Sequence, residues 1–425
     1  MTSYLEYSQE SLHSELKTLQ QRYNNFQSAG LQLDMTRGKP APQQLDLAND
    51  LLGLPGADDY RSADGTDCRN YGGLDGLPEL KDLFAEILEL QAENIIIGGN
   101  ASLALMHDAL VRALLFGVPG GERPWRDEEK LRFLCPSPGY DRHFAAVEHL
   151  GFELMTVEMA TDGPDMDQVE WLAKADPAVK GIWCVPRYSN PTGVTYSDEV
   201  VRRLATMPTA ATDFRIFWDN AYAEHHLTDQ PVTLANILHA CTVAGNSNRV
   251  LLFASTSKIS LAGSGVAVIA GSVENMNDIR THIQFQTIGP DKINQLRHLR
   301  KYRDHATIRE HMQQQAGLLR PKFAAVQQAL SAELEGTEIA EWTDPEGGYF
   351  VSLDIRDGCA KRVVALAGAV GVKLTAAGAP FPYGKDPRDR NIRIAPTFPA
   401  VGDVRQAMEI LAVCVKLAAV ESLLA

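Results

Sequence analysis

Apolar positions follow two rhythms along this chain. Leu12, Leu16, Leu19, Tyr23 and Phe26 recur at steps of three and four, which predicts an amphipathic packing helix that Gly30 can stop. Short apolar-rich runs then take over. Ile95–Ile97, Leu131–Cys135, Phe152–Met159, Gly181–Val185, Ile216–Trp218 and Val250–Phe253 have the length of strands, and helical patterns lie between them. That alternation predicts an α/β protein with a mainly parallel sheet. From about Asp291 long helices dominate, followed by strands at Gly347–Leu353 and Asn391–Ala395 and a closing apolar helix from about Val404. The expected organisation is an N-terminal part (1–50) and a C-terminal part (291–425) joined in a smaller α+β domain, around a large domain (51–290).

Several of the predicted strands end in residues that carry chemistry. Ile216–Trp218 runs into Asp219-Asn220-Ala221-Tyr222, and Val250–Phe253 into Ala254-Ser255-Thr256-Ser257-Lys258. Ligands of open α/β sheets sit outside the carboxyl ends of the strands, so this acid and this lysine could face one crevice. Gly98-Gly99-Asn100-Ala101-Ser102 leads from a strand into a helix, and two glycines with a helix N-terminus make a candidate phosphate cradle. Taken singly, each feature has an ordinary reading. A lysine after a strand is usually a solvated loop residue, an aspartate there is commonly a helix cap, and Asn190-Pro191-Thr192-Gly193 is a turn.

Taken in order, Asn-Pro-Thr-Gly, Asp-x-x-Tyr and Ser-x-Ser-Lys resemble the fold-type I, pyridoxal-phosphate-dependent aminotransferases of class I, with the match running from Gly38 to Arg393. Thr36-Arg37-Gly38-Lys39-Pro40 and Thr287-Ile288-Gly289-Pro290-Asp291-Lys292 look like the MocR-related branch that contains type Ic aspartate aminotransferases. The resemblance implies a three-layer large domain that binds the cofactor. It makes Lys258 the Schiff-base lysine, Asp219 the partner of the pyridine nitrogen, and Asn190 and Tyr222 the donors to the phenolate oxygen. Those residue types suit the task, because a lysine amine must have a lowered pKa to react and a carboxylate keeps the ring nitrogen protonated.

Further roles follow from the same resemblance. Tyr140 would stack on the ring, Gly99, Asn100, Ala101, Ser102, Ser255 and Ser257 would hold the phosphate, and Tyr71 would reach the phosphate of a second subunit, which implies a homodimer with shared sites. Gly38 and Lys39 belong to a loop over the substrate, and Arg393 would grip the substrate α-carboxylate, aided by Asn190. One position departs from the family. Val266 stands where an arginine often neutralises the phosphate, leaving Arg297 or Lys292 as alternative sources of charge. A distal carboxylate needs another cation, for which Arg37, Lys39, Arg187 and Lys292 are candidates.

Composition bounds the partners. With 425 residues, a formal charge of -14 and no Lys/Arg cluster, the chain lacks what phosphate-backbone binding requires. The six cysteines show no C-x-x-C pair, so neither a zinc site nor a disulfide framework is expected; with no apolar run able to span a bilayer, a cytoplasmic setting without membrane partners fits. The expected activity is ping-pong amino transfer between aspartate and 2-oxoglutarate. Alternatives are another donor preference, a pyridoxal-phosphate-dependent lyase, or a regulator-like domain without catalysis, since fold does not dictate function.

Overall fold

The computed structural model describes residues 3–28 and 30–425. Its main sheet has eight strands: β2 (Ile95–Ile97), β3 (Arg132–Ser137), β4 (Glu153–Ala160), β5 (Gly163–Pro164), β6 (Val179–Cys184), β7 (Arg215–Asp219), β8 (Val250–Ser255) and β9 (Ala267–Gly271). Their spatial order is β2-β9-β8-β7-β6-β3-β4-β5. The five central strands from β8 to β4 run parallel, while β9 and β5 are antiparallel to their neighbours. Helices cover both faces, so the middle strands are apolar on both sides and read as continuous runs. The run that forms β9 was not anticipated as a strand.

Side-chain alternation divides these strands between two cores. Phe133, Trp183, Phe217 and Phe253 point to one face, where Phe217 and Phe253 stack with centroids 5.7 Å apart. Leu134, Ile182, Trp218 and Leu252 point to the other. Full burial of each such side chain contributes about 1.5–3 kcal/mol. The alternation also aims the strand ends. Asp219 lies two residues beyond Phe217, and Ser255 two beyond Phe253, so both face the aromatic side of the sheet.

A second body of structure joins the two ends of the chain. β1 (Leu33–Asp34) pairs in parallel with β12 (Val372–Lys373), and β10 (Ala340–Trp342), β11 (Val351–Ile355) and β13 (Asn391–Ile394) form an antiparallel sheet. The predicted N-terminal helix spans Gln9–Gln27, and Leu12, Leu19 and Tyr23 bury against the helices His305–Leu334 and Val401–Leu424. Tyr23 donates its hydroxyl to the Leu366 carbonyl at 2.8 Å. The proposed break near residue 291 falls ahead of the helix Lys292–Lys301, whose Leu296 belongs to a core of the large sheet; the long helix changes allegiance between Met312 and Leu319.

One strand starts later than expected. Gly347-Gly348-Tyr349-Phe350 is not part of β11, because these residues fold over Tyr188: a Cβ on Gly347 would meet the Tyr188 ring at 2.3 Å, and Gly348 has φ +78. Tyr188 is itself in the left-handed region, with φ 48, and its hydroxyl meets His226 Nδ1 at 2.7 Å. Among the described residues no helix is long and apolar enough to cross a membrane.

Candidate active site

The ends of β7 and β8 open on a cavity of about 200 Å³. Its lining brings together Gly38, Ala101, Ser102, Tyr140, Asn190, Asp219, Tyr222, Ser255, Ser257 and Lys258, residues that stand up to 220 positions apart in the chain, as Gly38 and Lys258 do (258 minus 38). Phe350, His143, Val185, Leu103, Met106 and Ala221 complete the wall.

Lys258 follows β8 in a tight turn, in which the Ile259 and Ser260 amides donate to the Thr256 carbonyl at 2.9 and 2.8 Å. This turn is anchored from two sides. His298 Nε2 lies 2.9 Å from Ser260 Oγ, and His311 and Gln315 both reach the Ile259 carbonyl at 2.7 Å. No hydrogen bond to Lys258 Nζ is formed among the described residues; the ammonium lies 4.7 Å from the centre of the Tyr222 ring. Burial lowers the lysine pKa from its ordinary value, opposed by the charge of Asp219.

Asp219 is buried and makes one contact, from Oδ2 to His143 Nε2 at 3.0 Å. The His143 ring stacks on Trp183 with centroids 4.2 Å apart, which sets its plane. Asp219 Oδ1 has no partner among the described residues. A buried carboxylate oxygen left open in a cavity is costly unless something polar meets it, and a protonated ring nitrogen would do so. Asn190 is likewise buried with its side-chain oxygen unpartnered, and burial pushes the Tyr140 phenol up to about 12 and the Tyr222 phenol well above its ordinary value. Ser255 Oγ and Ser257 Oγ lie 3.1 Å apart beside Ala101 and Ser102, which open the helix Ser102–Phe116. An amine, an open carboxylate oxygen, aromatic walls and an anion-ready helix end together fit pyridoxal phosphate.

Other sequence candidates stand outside this lining. Gly99 continues the ladder between β2 and β9, accepting from the Ala267 amide at 2.8 Å, and Asn100 lies at the rim, where its carbonyl accepts from Ser257 Oγ at 3.4 Å. Lys39 is exposed, with its ammonium 4.0 Å from the Phe398 ring centre. Arg393 is buried beside the wall residue Phe350 and paired with Asp141. Tyr71 is 82% exposed on a turn. The alternative cations are spent elsewhere: Lys292 donates to the carbonyls of Asn70 and Gly72, and Arg297 Nε to that of Leu54. Val266 is buried and bonded through its amide to Thr256 Oγ1, so no side-chain charge arises there. Arg187 borders a separate cavity with Glu224, His226 and His305. Sequence reasoning missed His143, His298, His311 and Gln315. Only the spacing of Tyr140 and His143, three apart where a helix begins, hinted at a shared face for one of them.

A mainly parallel sheet covered by helices, with Asp219 closing β7 and Lys258 just beyond β8, is the framework of an α/β enzyme, and the comparisons say of which family. The family model described as aspartate amino-transferase matches residues 7–425, and the chain belongs to that family. An aspartate aminotransferase of Corynebacterium glutamicum is 46% identical, over 96% of this chain and 94% of that protein. A Mycolicibacterium smegmatis protein named as an aminotransferase is 54% identical over 99% of both chains. The crystal structure of an aspartate transaminase from C. glutamicum superposes with a TM-score of 0.97 at 44% identity, covering 99% of both chains. The α-aminoadipate aminotransferase LysN of Thermus thermophilus, 20% identical with a TM-score of 0.74, covers 92% of this chain and 93% of its own and shares the fold.

Proposed function

We propose that this aminotransferase moves the amino group between aspartate and 2-oxoglutarate, as a type Ic enzyme of the MocR-related branch. The observation that carries the reading is the Lys258 amine, without a hydrogen bond among the described residues, sharing one cavity with the unpartnered Asp219 Oδ1. Pyridoxal phosphate, when bound, supplies an aldehyde that carries the amino group from one substrate to the next and a ring that accepts electrons. The chain's own residues do the rest. Asp219, fixed by His143, would meet the ring nitrogen with Oδ1 and keep it protonated, and Lys258 Nζ would accept the proton that leaves the substrate α-carbon. Tyr140 would pack on the ring, and Asn190 and Tyr222 would donate to its oxygen. Ser102, Ser255 and Ser257 would meet the phosphate by hydroxyl and amide donation in place of the side-chain charge absent at Val266.

Arg393 takes the α-carboxylate, and Arg37 or Lys39 on the loop beside Gly38 a distal one, since Lys292 is bound to backbone carbonyls. The preference for acidic substrates is supported by the named C. glutamicum relative and by Thr36–Pro40 and Thr287–Lys292. The exposed Tyr71, on a turn clamped by Lys292, supports a homodimer that completes each site. Six buried, unpaired cysteines support a reducing, cytoplasmic setting. The test is a panel of amino acids with 2-oxoglutarate, followed for keto-acid product and ammonia. Aspartate should exceed alanine and aromatic donors, with no ammonia released; ammonia as the main product would make the protein a lyase and sink the proposal.

A further inference from the structure

We propose that Asp141 is a positioning residue for Arg393, fixing which edge of that guanidinium is offered to a substrate carboxylate. The proposal rests on the reading of Arg393 as the α-carboxylate partner, and it concerns a residue that no motif singled out. Arg393 is 8% exposed, and a buried guanidinium needs a counter-charge. It has one: Nη1 donates to Asp141 Oδ1 at 3.0 Å, while the Phe350 ring centre lies 5.2 Å from the guanidinium carbon.

The other edge faces no counter-charge. Nη2 has only a long contact, 3.4 Å, to Thr375 Oγ1, and Nε is buried without a partner among the described residues. A guanidinium presents its donors in a rigid fork, so a carboxylate on Nη1 leaves the Nε–Nη2 edge as the one that can take a second carboxylate through two parallel bonds. Asp141 is placed for this by its neighbours. It opens the helix Asp141–His149 directly after Tyr140, which lines the cavity, as Phe350 does on the Arg393 side. An acidic residue in a first helical turn is favoured by the helix dipole in any case. That preference gives no reason for its carboxylate to bridge to a strand of the other sheet, β13, as it does here.

The test uses the cofactor-loaded protein. Asp141→Ala should raise KM about 10-fold for aspartate, glutamate, 2-oxoglutarate and oxaloacetate alike, the scale of one charge-assisted hydrogen bond, with kcat changed far less. Succinate, which binds without turnover, should lose affinity in parallel by calorimetry, and the cofactor absorbance spectrum should not move. Asp141→Asn keeps an acceptor oxygen and should recover part of the loss; it carries the test should the alanine variant fold poorly. In an Arg393→Lys background, Asp141→Ala should add nothing. If Arg393→Lys itself leaves every KM unchanged, the reading of Arg393 fails and the proposal with it. If Arg393→Lys raises KM while Asp141→Ala leaves it unchanged or lowers it, the role of Asp141 alone is overturned.

Discussion

Two buried ionic clusters sit on this sheet and are built in opposite ways. At Lys180 the ammonium reaches Asp213 at 2.9 Å and Glu128 at 3.0 Å, and Trp125 Nε1 donates to the second Asp213 oxygen at 2.8 Å. Both Asp213 oxygens have partners within the protein. At Asp219 one oxygen is held by His143, and among the described residues the other has no partner and Lys258 Nζ makes no hydrogen bond. Buried polar groups in folded proteins are nearly all satisfied internally, so a half-satisfied cluster in a cavity is one that expects a ligand. Each cluster pairs a lysine with a buried aspartate. Satisfaction separates the one that holds the fold from the one we propose for chemistry.

The comparison breaks first at Lys258. Lys258→Ala should lower turnover by at least about 10²–10⁴-fold, the range for a lost proton-transfer group, with little loss of folding stability. Borohydride reduction of the wild type and peptide mapping should place the cofactor label on Lys258; a label on another lysine would sink the assignment. Asp213→Ala should do the reverse. Removing one partner of a buried pair costs about 3–5 kcal/mol in denaturant unfolding, while KM and kcat per folded molecule stay near wild type. An Asp213 variant that unfolds normally but turns over slowly would collapse the distinction.

Asp219→Asn sharpens the contrast from the functional side. An amide cannot keep the ring nitrogen protonated, and kcat should fall by roughly 10–100-fold, the scale of a lost bond to a charged group, with the fold retained. Near wild-type kcat would remove Asp219 from its role. The smallest effect is a pH dependence in the cofactor-free protein. Lys258 has a folded pKa below its ordinary 10.5, so between the two values the unfolded chain binds more protons and stability rises with pH. Lys258→Met should therefore melt above the wild type at neutral pH, with the gap closing as pH climbs toward that ordinary value. A gap that does not change with pH would mean that the buried ammonium is not the cause.

The sequence by itself determined the sheet and the two residues at its heart. Strand periodicity, strand-end chemistry and the order of motifs are local properties: alternation along β7 aims Asp219 at one face, and Lys258 follows three residues after β8 ends at Ser255. It did not determine how charges are shared, because that depends on which distant groups meet. His143 reads as an ordinary helical residue until the fold lays it between Trp183 and Asp219. Lys292 reads as a free cation until the turn at Asn70–Gly72 closes over it, and Arg393 as an unoccupied one until Asp141, 252 residues away, takes Nη1. Hydrogen bonds act over about 3 Å, and a chain pattern carries no information on contacts of that length between segments hundreds of residues apart. Tertiary structure decides those, and with them which buried atoms are left open for a ligand.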